Sequence, residues 1–453
     1  MDLLKTNINK LYFKYLFSAF GSAIICSIYS TVDMVCVGQS VGANGTAALS
    51  CVMPLWSIII SIGILFGIGG AVAMGVARGR GDKAHADMCF TVTLFAGIIV
   101  TALLTAALAL WIEPLIGFFG ADETILPFAV DYAKCIVAAT PAFLMGQLLI
   151  AFIRNDGAPG LALLSVVLGG VVNIVLDIYF VFGLGLGMYG AGLATAIGQY
   201  VGIAILLTHF FSKKNKLRIK RPDEPIQKLG HILSIGFSPF IVDLSFGIIV
   251  ILFNNQIMHY AGGNELAVYG TLSNLHILIQ ALFYGVGQAV QPIASVNYGA
   301  SNMERVKAVL KCAVITACFM GVLFTVLLLA LPEPILRMYM DTTDVIIAIG
   351  PAILRKYALT FLFMGIGIVS SYYFQSVMQT GKSLLISLMR GVILSSIFVY
   401  VLPAVSGFDA IWWTMPLTEL LTTVVAVVLL RKSVHSLKQK VFSERKDLKE
   451  DLS

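Results

Sequence analysis

Long apolar stretches separated by short polar connections make up most of this chain. A helix needs about 20 mostly apolar residues to cross a hydrocarbon core of roughly 30 Å. Twelve stretches reach that length, near residues 13–37, 52–76, 88–111, 128–152, 161–183, 190–211, 235–259, 267–293, 309–331, 348–375, 383–405 and 410–430. The pattern predicts an all-α polytopic membrane protein, with six transmembrane spans in each half.

The composition supports this prediction. The chain is 58% apolar and only 12% charged, and its mean hydropathy of +0.91 lies far outside the usage of soluble domains. The first apolar stretch is longer than a signal-peptide core and has no small-residue cleavage site behind it, so we expect it to be retained. The seven cysteines lack metal-ligand spacing, so we expect neither a disulfide framework nor a metal centre. No nucleotide-binding loop, nucleophile elbow or zinc-protease motif is present, which argues against an enzyme or a cofactor.

Basic residues are concentrated in alternate connections, which indicates the orientation of the spans. The connections with this bias carry Lys5, Lys10, Lys14, Arg78, Arg80, Lys83, Arg154, Arg305, Lys307, Lys311 and Lys382. The other connections are mainly acidic, and Arg337 is their one clear cation. Both termini are therefore expected on the cytoplasmic side of a bacterial or archaeal cytoplasmic membrane.

The basic run 213–221 then lies in a cytoplasmic linker between the two halves. Beside a membrane, such a run is a topology signal that touches anionic lipid, and no nucleic-acid partner is expected. The chain order predicts a six-helix lobe (1–211), a basic cytoplasmic linker (212–230), a second six-helix lobe (231–431) and a charged cytoplasmic tail (432–453).

An internal repeat relates the two halves. The segment Gly67-Ile68-Gly69-Gly70 recurs as Gly285-Val286-Gly287-Gln288 at an offset of 218 residues, and flanking echoes keep offsets between 218 and 220. Many secondary transporters are built from two such repeats, with the substrate near the bilayer midplane and one repeat rocking against the other. The repeat therefore predicts transport by alternating access.

Two carboxylates within the predicted spans are candidates for coupling transport to an ion. Asp33 lies in the outer half of the first span and Asp177 lies deep in the fifth. Asn173 is four residues before Asp177, hence on the same helical face, and Thr195 on the sixth span is a further oxygen. A charged residue at mid-span costs about 2.5 to 3.5 kcal/mol on insertion scales and marks a functional site by default. Because burial disfavours the charged form of a carboxylate, such a site can carry a proton.

These residues resemble the multidrug and toxic compound extrusion (MATE) family. The resemblance rests on Asp33, on Asn173 and Asp177, and on the segments Arg154-Asn155-Asp156-Gly157, Gly187-Met188-Tyr189-Gly190-Ala191-Gly192-Leu193-Ala194-Thr195 and Pro292-Ile293-Ala294-Ser295-Val296-Asn297-Tyr298-Gly299. It implies twelve helices in two lobes and the export of organic cations and amphiphilic drugs in exchange for inward H⁺ or Na⁺. In the prokaryotic branch that couples in the N-terminal lobe, the matching positions here are Asp33, Asn173, Asp177 and Thr195.

The second half offers candidates for binding the exported compound. The eighth span carries a polar stripe of His276, Gln280, Tyr284 and Gln288, which cannot face lipid, and the seventh span carries Asp243. A transmembrane histidine is as often a packing residue as a pH sensor, and Asp243 is as readily a solvated residue near the cytoplasmic end. Three further charges are Lys356, Arg390 and Glu419. Snorkelling towards the membrane surface explains the first two at least as well as a functional role does.

Two alternatives to a multidrug antiporter remain open at this point. A flippase for lipid-linked oligosaccharide or cell-wall precursors would need a cationic cavity, and few buried basic residues can be assigned to spans 1, 2, 7 and 8. A membrane-embedded enzyme would need a metal cluster or paired interfacial carboxylates, which the sequence does not display. We expect a monomer whose partners are lipophilic or cationic drugs and membrane lipid. The coupling ion stays open, since Asp33, Asn173 and Asp177 could also hold Na⁺.

Overall fold

The computed structural model describes residues 2–221, 224–339 and 344–450, which are almost entirely helical. Fifteen α-helices lie in this described part: α1 (Ile8–Val41), α2 (Ala43–Gly79), α3 (Lys83–Phe118), α4 (Leu126–Ala138), α5 (Thr140–Asn155), α6 (Pro159–Asp177), α7 (Gly187–Leu207), α8 (Pro225–Tyr260), α9 (Gly263–Gly299), α10 (Met303–Ala330), α11 (Pro332–Tyr339), α12 (Asp344–Ser376), α13 (Thr380–Leu388), α14 (Leu394–Ser406) and α15 (Thr414–Glu450). Parts of the predicted linker and tail, residues 222–223 and 451–453, lie outside the described residues, as does Asp341 of an acidic connection.

The helices confirm the predicted membrane architecture. Eleven helices of the described chain, some of them composite, are long and apolar enough to cross a membrane. The pair α4 and α5 supplies a twelfth span, bent by 49° at the break between them. A proline in the first turn of α5 removes a backbone donor just after this break, which accounts for the bend.

Two spans contain a short π-helical segment. Residues Ile178–Gly183 continue α6 as a π-helix directly after Asp177. Residues Met389–Ile393 form another between α13 and α14. π-Helical turns inside α-helices are rare and frequently occur at functional sites. The first of these follows Asp177 directly, and the second contains Arg390.

The helices form two compact units. The N-terminal unit comprises Phe17–Phe240, and the C-terminal unit comprises Leu3–Leu16 together with the chain from Ile241 onward. In the N-terminal unit α2 packs on α3 and α5, and α6 packs on α7; in the C-terminal unit α12 packs on α9, α10 and α15. The protein is thus a polytopic membrane protein of two helical lobes. The four segment boundaries expected from the chain order stay a prediction.

The internal repeat is visible in the backbone. Helices α2 and α9 begin and end at an offset of 220 residues, at Ala43–Gly79 and Gly263–Gly299. The turn before each contains a glycine with positive φ, 78° at Gly42 and 144° at Gly262. The turn after each has a left-handed residue, Gly81 in the first half and Ser301 in the second. The structural offset is therefore two residues more than the spacing of the glycine-rich motif, and Ser301 is the counterpart of Gly81 at that offset.

Candidate functional site

The four predicted coupling residues lie together inside the N-terminal unit. Asp33 belongs to α1, Asn173 and Asp177 to the C-terminal part of α6, and Thr195 to α7. All four are buried, with Asp177 fully inaccessible at 0% exposure. The four-residue spacing on α6 places the amide and the carboxylate on one face, as the sequence predicted.

Hydrogen bonds through Tyr132 connect Asp33, Thr195 and Asn173. The Asn173 Nδ2 donates to Thr195 Oγ1 over 3.2 Å. The Tyr132 hydroxyl donates to Asp33 Oδ2 over 2.9 Å, and a further side-chain hydrogen bond joins Tyr132 to Thr195. The carboxyl groups of Asp33 and Asp177 interact electrostatically. We call these five residues the Asp33–Asp177 cluster.

Tyr132 was missed by the sequence analysis. It lies on α4, between the exposed charges Asp131 and Lys134, and is itself buried. A buried tyrosine needs a partner for its hydroxyl. The signal in the sequence was that Tyr132 follows the charged Asp131 within a predicted span, which could have indicated a polar neighbour.

The cluster has more acceptors than donors. Among the described residues, four of its oxygens have no hydrogen-bond partner: Asp33 Oδ1, Asn173 Oδ1, and both carboxylate oxygens of Asp177. The ion pairs of the described chain include neither carboxylate. Buried polar atoms are normally paired, and buried charges are compensated. The cluster thus departs from this rule, because two buried carboxylates have neither a basic partner nor a full set of hydrogen bonds among the described residues.

A proton or Na⁺ fits this donor set. Carboxylate, amide and hydroxyl oxygens are the groups with which transporters bind either ion. Proton uptake would convert an unpaired carboxylate into a hydrogen-bond donor for a neighbouring oxygen. Na⁺ would instead be held by Asp33, Asn173 and Asp177.

The predicted substrate residues are distributed over the C-terminal unit. His276 is buried, with Nδ1 3.0 Å from the Tyr357 hydroxyl on α12. Gln280, Tyr284 and Gln288 on α9 are half-buried, as is Asp243 on α8. The charge of Asp243 acts on Tyr284, whose ring lies 6.4 Å from that of Tyr372. The structure thus packs His276 against α12.

Of the two interpretations of Arg390, snorkelling to the membrane surface is wrong. Its Nε donates to Glu419 Oε1 over 2.6 Å, and the two side chains are 6% and 0% exposed. The π-helical turn and α15 hold this pair inside the C-terminal unit, where each charge compensates the other. Lys356 pairs with Asp409, whose side chain is largely exposed, consistent with a place near the surface.

A further buried carboxylate lies at the end of α5, outside the spans. The Asp156 side chain accepts from Arg78 Nη1 at 2.6 Å, lies 2.6 Å from His209 Nε2, and accepts from the Lys216 amide at 2.9 Å. Burial alone would raise the pKa of Asp156, but His209, Arg78 and Lys216 together hold it below the ordinary value of 3.8. Because the folded pKa is depressed, these contacts stabilise the protein at neutral pH and weaken only as the pH falls through that pKa.

Comparison with known proteins identifies the family. A profile of the MatE family matches residues 19–179 and 227–401. The chain belongs to the MatE family. The multidrug export protein MepA of Staphylococcus saprophyticus subsp. saprophyticus is 22% identical to it over 411 residues, covering 90% of each chain. MepA of Staphylococcus aureus is 23% identical over 412 residues, again covering 90% of each chain.

Solved structures of MATE proteins share the fold. An outward-facing multidrug resistance MATE family transporter of the MOP superfamily aligns with a TM-score of 0.90 at 21% identity, covering 96% of this chain and 98% of that one. A MOP superfamily transporter from Pyrococcus furiosus, described as having a binding pocket of reverse polarity that suggests a different function, aligns equally well at 22% identity. The membership predicted from the motifs is thus confirmed for this MatE protein, whereas coupling in the N-terminal unit stays a prediction.

Proposed function

We propose that this MatE protein is a secondary active multidrug efflux antiporter, which exports lipophilic and cationic compounds by alternating access in exchange for an inward-moving cation. The family membership and the multidrug export proteins among its relatives support export. The observation that carries the antiport proposal is the Asp33–Asp177 cluster, with its two buried carboxylates and four unpartnered oxygens.

The coupling argument is electrostatic. An exchanger needs a site whose occupancy by the driving ion differs between its inward-facing and outward-facing states. Two interacting carboxylates without a basic partner are unfavourable in low dielectric unless a proton or Na⁺ compensates them. Loading and unloading that cation would therefore change the free energy of the N-terminal unit and favour one state over the other.

The driving force is sufficient for export. For a neutral compound, one charge moving inward through about 100 mV releases roughly 2.3 kcal/mol, whereas a tenfold concentration ratio requires about 1.4 kcal/mol. For a monovalent cation, one-for-one exchange moves no net charge, so the concentration gradient of the coupling ion supplies the energy, about 1.4 kcal/mol for each tenfold ratio. We propose H⁺ as the coupling ion, because a proton satisfies an unpaired carboxylate without needing a complete coordination shell. Na⁺ is the alternative at the same residues.

Purified protein in liposomes separates these possibilities. A pH gradient and a Na⁺ gradient are imposed one at a time, and the movement of ethidium or norfloxacin is followed. We expect the pH gradient alone to drive transport. Transport that requires Na⁺ and ignores the pH gradient would replace H⁺ by Na⁺, and transport under neither gradient would refute the antiport proposal.

Ethidium export also tests the flippase alternative. Expression in a host that lacks its own drug pumps should lower cellular ethidium if the protein exports drugs, and should leave it unchanged if the protein flips lipid-linked precursors. We propose further that the protein works as a monomer in the cytoplasmic membrane with both termini inside. The basic connections on one side of the predicted topology support this orientation.

A further inference from the structure

The first helix of the chain is divided between the two compact units. Residues Leu3–Leu16, which include the start of α1, pack within the C-terminal unit, whereas the rest of α1 from Phe17 packs within the N-terminal unit. Leu11 and Tyr12 are fully buried, and the Tyr12 hydroxyl donates to Thr316 Oγ1 of α10 over 3.0 Å. The helix that carries Asp33 therefore begins in the other half of the molecule.

Helix α8 shows the reciprocal arrangement. Its residues up to Phe240 belong to the N-terminal unit and those from Ile241 to the C-terminal unit. The early part packs so closely on α2 that a Cβ on Gly236 would lie 1.9 Å from the Leu65 carbonyl oxygen. Pro239, inside α8, lies next to the point of division, and a proline weakens a helix there by removing a backbone hydrogen bond.

The segment leading into α1 is held by a guanidinium. Arg305, at the start of α10, donates from Nη2 to the carbonyls of Leu3 at 3.1 Å and Thr6 at 2.6 Å, and from Nε to Asn297 Oδ1 at 2.9 Å. Asn297 in turn donates to the Leu3 carbonyl over 3.1 Å. All of these residues belong to the C-terminal unit. The fixed fork of arginine suits several acceptors at once, which a lysine cannot match.

The segment leading into α8 is held in the N-terminal unit. The Lys216 amide donates to buried Asp156, and the Lys220 amide donates to Thr91 Oγ1 of α3 over 3.0 Å. Leu217, between these contacts, is buried at 3% exposure. Thus α1 and α8, the first helices of the two halves, each have their leading segment tied to the other half, one through Arg305 and one through Asp156 and Thr91.

We propose that Arg305 and the Asp156–Thr91 contacts are positioning elements that couple rearrangement of the two units to the shape of α1 and α8. A helix anchored in both units must bend when the units move relative to each other. The bend is expected near residues 16–17 and 239–241. Because α1 also carries Asp33, a helix held at its start transmits movement of the units to the cation site.

Weakening the contacts of Arg305 should therefore uncouple drug transport from proton movement while leaving the Asp33–Asp177 cluster intact. In Arg305→Lys the charge is kept, so the topology signal survives, but the bonds to Leu3, Thr6 and Asn297 cannot all be made. We expect normal drug affinity, with drug-independent proton leak increased roughly fivefold or more, the lower end of usual coupling effects. Arg337→Lys, the same exchange at an exposed arginine that pairs with Glu333 of its own helix α11, is the matched control and should leave the leak unchanged.

Two further variants test the route of the effect. Deleting residues 2–6 removes the carbonyls that Arg305 holds, so it should reproduce the Arg305→Lys leak and add little when the two are combined. Thr91→Val removes the acceptor of the Lys220 amide and should raise the leak by a smaller factor. Its control on the same helix is Thr105→Val, because the Thr105 hydroxyl donates to the Thr101 carbonyl within α3 itself.

Hydrogen exchange supplies a readout that is independent of transport. Amides of residues 3–16 should exchange faster in Arg305→Lys, whereas those of α6 should not.

The predicted change in proton leak, unlike the hydrogen-exchange result, rests on the proposed antiport. If the wild type moves no proton or drug, the antiport proposal fails, while the exchange result still tests the anchor. Two results would overturn the proposal that Arg305 is a positioning element. One is an Arg305→Lys protein whose proton leak and hydrogen exchange equal those of the wild type. The other is a proton leak that increases only in proportion to the loss of thermal stability.

Discussion

The two units contain buried polar clusters that differ in how their charge is compensated. In the N-terminal unit, Asp33 accepts from the Tyr132 hydroxyl and both Asp177 oxygens lack a hydrogen-bond partner, and none of the ion pairs in the described residues includes either carboxylate. In the C-terminal unit, Glu419 is compensated by Arg390. Within the described residues, the N-terminal cluster has carboxylates without a basic partner, whereas the C-terminal cluster contains its own counter-ion. Under the proposed antiport, only the first is expected to bind and release a cation.

The largest effect is expected from Asp177→Asn. An amide can neither titrate nor hold Na⁺, so export should be abolished while drug binding persists. Wild type should also lose activity at alkaline external pH, where the site no longer reloads its proton. Ethidium efflux across external pH, on wild type and variant at equal membrane abundance, measures both. An Asp177→Asn protein with normal efflux and a normal pH profile would move the coupling site elsewhere, with Asp243 and the α9 stripe as the next candidates.

Asp33→Asn should remove coupled turnover and retain expression. The substitution is nearly isosteric, and it mimics the protonated carboxyl while leaving a group to which Tyr132 can donate. Drug binding should stay close to wild type, measured by fluorescence quenching in detergent, while efflux driven by a pH gradient disappears. Efflux at the wild-type rate would give Asp33 a structural role.

Substitutions in the Arg390–Glu419 pair should change the stability of the protein, and not its coupling to the ion. Glu419→Gln leaves the buried Arg390 uncompensated, which typically costs about 3 to 5 kcal/mol. We expect lower abundance and a lower thermal midpoint in detergent. The combined variant Arg390→Met, Glu419→Leu removes both charges and should regain much of that stability, since apolar replacements of buried ion pairs are often neutral or better. If the combined variant folds well but loses ion coupling, the contrast between the two units breaks down.

Tyr132→Phe is the mildest change to the cation site. It removes one hydrogen bond to Asp33, and bonds to charged groups contribute about 1.5 to 3 kcal/mol. The loss should make protonation of the cluster easier, so the alkaline limb of the efflux profile should shift to higher pH with folding intact. Phe143→Leu, in the same helical core but outside the cluster, is the control. An unchanged pH profile in Tyr132→Phe would remove Tyr132 from the cluster's function.

The membrane architecture could be predicted because span length is a local property. Each of the twelve apolar stretches overlaps a helix or a composite of helices, since every backbone group within a bilayer must be paired and helices do this within one segment. The bend between α4 and α5 did not change the count, because both halves of that span are apolar. The helical face shared by Asn173 and Asp177 could also be predicted, since it follows from helical periodicity alone.

The partners of the buried charges could not be predicted in this way. Arg390 and Glu419 are 29 residues apart, and Tyr132 and Asp33 are 99 apart. An arginine that snorkels and one that pairs internally have the same local sequence, so hydropathy cannot distinguish them. Only the packing of the helices determines which charges meet.

The sequence by itself therefore determined the class of protein, its spans, its family and the carboxylates on which coupling is proposed to depend, because these follow from hydrophobic length, helical periodicity and motif. Tertiary structure alone decided that Asp33 meets Tyr132 while Arg390 neutralises Glu419. It also decided that residues 3–16 and the start of α8 each pack with the other half of the chain. The physical reason is that these features arise from contacts between residues distant in sequence, and no local pattern encodes which helices pack together.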